Sequence, residues 1–148
     1  MLLGIFVLLI FGAKVSGSHF NPAITTSFMF RRDVGRFSRK LGIAYILFQV
    51  VGGFLGGFIA FLFTRSPHKL GVEKDINSLL AMPAETIGAF FVTFLYLTQT
   101  EEKTKLSKDP AITTLIIAAA YMGAMLMVCG PDDTITPLNP AIAFGTMF

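Results

Sequence analysis

The tripeptide Asn-Pro-Ala stands twice in this chain, as Asn21-Pro22-Ala23 and Asn139-Pro140-Ala141, and it limits the possible folds more than any other feature. Average composition yields such a triplet at about one position in 10⁴, so two copies call for a common cause. Each copy follows a loop rich in helix breakers, Ser16-Gly17-Ser18-His19-Phe20 and then Pro131 to Leu138. Each precedes a short apolar stretch. Asn is a strong N-cap and Pro is favoured at the first helical position, so each triplet predicts the opening of a helix. The first helix is expected to end near Phe30. About ten residues at ~1.5 Å each reach roughly half of a ~30 Å hydrocarbon core. Paired half-helices in corresponding places of a membrane chain point to a transport site.

Composition identifies the solvent. Hydrophobic residues form 53% of the 148 positions and charged residues 14%, with a mean hydropathy of +0.69. The charges fall in blocks. Leu41 to Thr64 holds no charged residue, and neither does Ala111 to Pro131, so both read as membrane-spanning helices. The net charge of +3 comes from loops and requires no nucleic-acid partner. The lone Cys129 ends an apolar run and reads as a small packed residue.

In chain order, Met1 to Ala13 is apolar but short, and reads as the inner end of a spanning helix that begins earlier. The loop Lys14 to Phe20 and the first half-helix follow. Residues 31–40 gather five basic side chains and one acid, the mark of a cytoplasmic loop. Leu41 to Phe63 is the first full span, and its Gly52, Gly53, Gly56 and Gly57 suit close approach of helix backbones. Pro83 to about Thr100 is the second span and carries Glu85; Ala111 to Cys129 is the third. The stretch from Pro131 to Leu138 then leads into the second half-helix, which runs to the chain end at Phe148. The whole chain, 1–148, reads as one domain.

Loops 31–40 and 101–109 share one membrane face and hold eight Lys or Arg; the connection between Phe63 and Pro83, on the other face, holds three. Positive charge marks the first two as cytoplasmic. The first half-helix then enters from the cytoplasm and the second from outside, so their N-termini meet near the midplane. Both aim positive dipole ends at one point. The side chains of Asn21 and Asn139 are expected to cap their helices and to offer an N–H to a passing neutral molecule. The carbonyls of Gly17, Ser18, His19, Thr136, Pro137 and Leu138 are candidate acceptors along the path.

These residues resemble those of the major intrinsic proteins, the aquaporins and aquaglyceroporins. The stretch Ser16 to Thr25 is similar to the first signature loop of that family, and Gln49 and Glu85 also match its habits. The resemblance implies an all-α membrane fold, an inverted-repeat helical bundle with two re-entrant half-helices, and a homotetramer with one pore per subunit. It implies that Glu85 holds the backbone of a re-entrant loop and that His19 lines the pore vestibule. From the residues alone, Glu85 also has a reading as a surface acid at a helix start, and His19 as a side chain tying down its own loop.

Three departures from the family pattern stand out. The family has six spans, and this chain shows three with the end of another, an incomplete bundle of about four. The Arg that usually follows the second Asn-Pro-Ala is replaced by Ile142. Counting back from Asn139, the other filter position falls near Met127, where water-selective members carry His. Ala143 lacks the acid of glycerol-conducting members, which favours water, while a filter of Ile142 and Met127 suits glycerol, urea or ammonia.

The expectation is a multi-pass channel for water in the plasma membrane or an intracellular (vacuolar) membrane, with no cofactor or metal. No metal-ligand spacing, nucleophile–base pattern or phosphate loop points to an enzyme. Two other readings remain. A secondary transporter needs ionisable groups at mid-membrane, and only Glu85 qualifies. A non-conducting, truncated family member would serve as a membrane interaction piece.

Overall fold

The computed structural model describes residues 2–31, 37–65, 78–128 and 136–146. These residues form six helices: α1 (Leu2–Ser16), α2 (Pro22–Phe30), α3 (Arg39–Thr64), α4 (Ser78–Thr100), α5 (Pro110–Val128) and α6 (Pro140–Gly145). Met1, most of the basic loop after Arg31, the connection 66–77, Cys129 with the start of the loop at Pro131, and Phe148 lie outside the described residues.

Local chemistry sets the ends of these helices. Ser38 caps α3 by accepting from the Leu41 N–H, and the helix stops at Arg65, whose backbone is left-handed. Asp109 caps α5 by accepting from the Ala111 and Ile112 N–H groups, with Pro110 at the first helical position. The expected boundaries need correction at three helices, and α6, expected to run to Phe148, ends at Gly145 where Thr146 closes it by donating its N–H to Ile142 O. α1 runs on to Ser16, past the loop start expected at Lys14, because the first left-handed residue is Gly17. α4 begins at Ser78 and carries Pro83 inside it instead of at its start.

Among the described residues, α3 and α5 are long and apolar enough to cross a membrane. α4, expected as a third span, is 23 residues long but does not meet that measure over its described residues. The most apolar stretch of α3 has no buried residue, and Phe48 and Phe63 stand largely exposed, which suits a face turned to lipid.

The glycine run on α3 divides into two faces. A Cβ on Gly53 would strike the carbonyl of Ala141, and one on Gly57 the carbonyl of Gly145. These two glycines let α3 and α6 meet backbone to backbone. Gly52 and Gly56 face open space, so only half of the expected interface is used inside the chain. Elsewhere α5 packs against both α1 and α4, and α2 lies between α3 and α4. The core gathers where these meet, around Ile24, Val92, Tyr96, Ala118, Tyr121, Ala124 and Leu138.

Candidate functional site

The two Asn-Pro-Ala triplets do open helices, and by the same means. Asn21 has extended backbone (φ −148°, ψ 121°) and accepts from the Ala23 N–H at 2.8 Å. Asn139 repeats this (φ −146°, ψ 107°) and accepts from the Ala141 N–H at 3.1 Å. Pro22 and Pro140 occupy the first helical positions. The residue before each Asn is left-handed, Phe20 at φ 43° and Leu138 at φ 47°. Non-glycine residues rarely adopt that conformation, and here it precedes the cap of both half-helices.

The two helix starts are bonded to each other. Asn21 Nδ2 donates to the carbonyl of Leu138 at 3.0 Å, and Asn139 Nδ2 donates to the carbonyl of Phe20 at 2.8 Å. Each Asn thus caps its own helix with its oxygen and secures the opposite loop with its nitrogen. Both side chains are buried, Asn21 at 1% and Asn139 at 5% exposure. Leaving such groups unpaired would cost about 1–3 kcal/mol each.

The symmetry breaks at the second amide hydrogen. On Asn21 it is taken by the phenolic oxygen of Tyr121 at 2.6 Å. On Asn139 no acceptor among the described residues receives it. At Asn21 both amide hydrogens are therefore taken within the chain, which leaves none for a passing molecule there.

The expected row of carbonyl acceptors is also partly occupied. Gly17 O accepts from the Tyr96 hydroxyl, and Leu138 O from Asn21. The carbonyls of Ser18, His19, Thr136 and Pro137 receive no donor from the described residues. The Thr136 hydroxyl is buried and has no partner there.

Neighbouring side chains brace the junction. The carboxylate of half-buried Glu85 lies near the backbone of Leu138, whose side chain lies against Gly88. Ser18 donates its hydroxyl to the carbonyl of Leu9 at 2.8 Å. His19 Nδ1 and Thr25 Oγ1 are hydrogen-bonded at 3.2 Å, and Gln49 donates to the same Thr25 oxygen at 2.9 Å. The His19 ring also packs on Phe28, with centroids 4.4 Å apart.

A mostly apolar cleft of about 560 Å³ opens between α1, α3 and the start of α6. His19 and Ile142 line it together with Phe20, Tyr45 and Gln49, while neither Asn21 nor Asn139 does. Met127, the expected partner of Ile142, lies exposed near the end of α5 and outside this lining. Pro22 and Ala141 are buried at the junction, Ala23 partly so, and Pro140 is exposed.

Tyr121 and Tyr96 are the site residues that motif reading missed. Each is a lone hydroxyl-bearing ring in an apolar helix, and a buried Tyr hydroxyl needs a partner. That was the available signal. It did not say which partner. Among the described residues, no cluster of three or more His, Cys, Asp or Glu is arranged to hold a metal ion.

All 148 residues match the family described as major intrinsic protein. The chain is 32% identical over 149 residues to the probable aquaporin PIP2-8 of Arabidopsis thaliana, covering 95% of this chain and 52% of that one. Aquaporin PIP2-7 of the same plant is 33% identical over 150 residues, covering 95% and 51%. A probable TIP-type aquaporin of Medicago sativa is 27% identical over 143 residues, covering 95% and 54%. The chain belongs to the major intrinsic protein family, a family of membrane channels and not of enzymes. It spans about half the length of these curated relatives.

Proposed function

We propose that this chain forms part of a passive pore that conducts water in single file between the two Asn-capped half-helices. The observation that carries this reading is the reciprocal bonding of Asn21 to Leu138 O and of Asn139 to Phe20 O, which aims two helix N-termini at one buried point. Two positive dipole ends repel a cation, which would lose its hydration there without replacement. A neutral molecule with lone pairs meets the remaining N–H of Asn139 and the open carbonyls of Ser18, His19, Thr136 and Pro137. α4 serves as the third span and Glu85 as the support of the second re-entrant loop. Ile142 and Met127 take the filter positions, leaving cation exclusion to the dipoles and admitting glycerol, urea or ammonia as further solutes.

The pore is set in the plasma membrane or a vacuolar membrane, and its subunits form a homotetramer. The open position at Gly56 suits such helix packing. The decisive experiment is stopped-flow osmotic shrinkage of vesicles containing this chain, beside protein-free vesicles. Faster shrinkage with a low activation energy is the expected result. Shrinkage no faster than lipid alone would overturn the conducting reading in favour of a non-conducting membrane interaction piece.

A further inference from the structure

Beyond conduction, and whether or not the chain conducts, we infer that Thr25 is a positioning residue for a ligand site at His19. It holds the imidazole with its hydrogen on Nδ1, so that Nε2 serves the apolar cleft as a bare acceptor. The ligand class that fits is an uncharged molecule with an apolar body and one O–H.

Thr25 Oγ1 has one hydrogen to give and two lone pairs. Three groups surround it: Gln49 Nε2 at 2.9 Å, Asn21 O at 3.1 Å and His19 Nδ1 at 3.2 Å. The amide nitrogen can only donate, so it takes one lone pair. The carbonyl can only accept, so it takes the hydrogen. Gln49 Oε1, at 3.3 Å, is a second acceptor in reach, and giving it the hydrogen leaves the same vacancy. The remaining lone pair faces His19, and only a protonated Nδ1 can use it. A neutral ring with Nδ1–H has no hydrogen on Nε2. Thr25 is fully buried and His19 is 5% exposed, so an unused donor or acceptor here would be costly.

The ring belongs to the cleft wall. His19 lines the cleft together with Tyr45, Gln49 and Ile142. Its Nδ1 is turned to α2, Phe28 packs on the ring, and Nε2 has no partner among the described residues. A Cβ on Gly17 would stand 3.6 Å from Nε2, and the glycine, at φ 77°, leaves that edge uncovered. The Tyr45 hydroxyl gives its own hydrogen to Ser16 O at 3.2 Å, so it does not donate to Nε2. The mostly apolar cleft of about 560 Å³ has the size of a small-molecule site, and no carboxylate is found in its lining. Its walls suit an apolar body, and Nε2 suits a hydroxyl.

The test is ¹⁵N NMR of the histidine-labelled chain in detergent. His68, the other histidine of the sequence, is changed by His68→Gln so that His19 alone reports. Protonated and bare ring nitrogens resonate far apart. Nδ1 should appear as protonated and Nε2 as bare. Thr25→Ser, which keeps the hydroxyl, should preserve that pattern. Thr25→Val, first shown to be folded by gel filtration, should move both resonances toward averaged values. A merely structural threonine would leave them in place. Hydrogen on Nε2 in the parent, or an unchanged spectrum in Thr25→Val, would overturn the positioning role.

The ligand class is read with benzyl alcohol and ethylbenzene as probes. The alcohol should shift the Nε2 resonance to saturation, and the hydrocarbon should not. Equal shifts from both, or none from either, would overturn the site. Vesicle shrinkage by the same chain is scored separately, so absent flux would sink the pore and leave the His19 assignment standing.

Discussion

Asn21 and Asn139 stand 118 positions apart, the difference of their numbers, yet each donates to the carbonyl of the residue preceding the other, at 3.0 and 2.8 Å. Neither helix start is complete without the other. Each cap is worth about 1 kcal/mol on its own, and the cross-bonds make the two caps one unit.

Asn139→Asp tests that unit. The carboxylate loses the donor to Phe20 O and places negative charge where two positive helix ends converge. Water flux should fall while cation leak through the vesicles rises, by roughly tenfold if the charge is worth ~1.4 kcal/mol at the barrier. Vesicle ion-leak and shrinkage assays read both. Unchanged behaviour in both would remove Asn139 from the centre of the path.

The proposed support of the second loop by Glu85 runs through the backbone N–H of Leu138, which lies near its carboxylate. Glu85→Ala leaves that N–H unpaired, and the chain should lose about 1–3 kcal/mol of stability together with most of its flux. Glu85→Gln keeps an acceptor oxygen and should retain more of both. Thermal unfolding in detergent and vesicle shrinkage of the two variants decide the point; equal losses would mean that the charge matters and the bond does not.

Gly57 meets the carbonyl of Gly145 with no room for a side chain. Gly57→Val should push α6 off α3 at a cost of about 1–3 kcal/mol or more. Gly56→Val, on the open face of the same helix, should cost far less within one chain. The comparison is read by thermal unfolding of the detergent-solubilised chain, and equal destabilisation would refute the division of the two faces.

Arg31, at the end of α2, pairs with Glu101 at 2.5 Å beside the end of α4. Both side chains are partly exposed, at 21% and 35%. Exposed pairs contribute about 0–1 kcal/mol and weaken with salt. Glu101→Gln should therefore shift stability by less than ~1 kcal/mol, and the shift should shrink at high ionic strength. Unfolding at low and high salt measures it.

Much of this architecture is legible in the chain itself. The Asn-Pro pairs define both half-helix starts because capping and a fixed proline φ are local effects, and Phe30 closes the first helix as expected. The charge-free stretch from Leu41 gives α3 to within two residues, since Ser38 supplies a cap of its own. Other features resist such reading. Whether Pro83 starts a helix or sits inside one depends on what precedes it, and Gly57 looks like Gly56 until α6 is in place. Tyr121 lies 100 positions from Asn21 in a helix otherwise built of small and apolar residues, so only tertiary packing reveals the bond between them.

Leu138 gathers more of the molecule than its apolar side chain suggests. It is left-handed, its carbonyl holds Asn21, its backbone lies near Glu85, and its methyl groups lie on Gly88. The consequence is mechanical. Leu138 thus stands between Glu85 of α4 on one side and the amide that Asn21 shares with Tyr121 on the other. One backbone position thus joins the meeting point of the half-helices to a helix that leads out to the loop at Glu101.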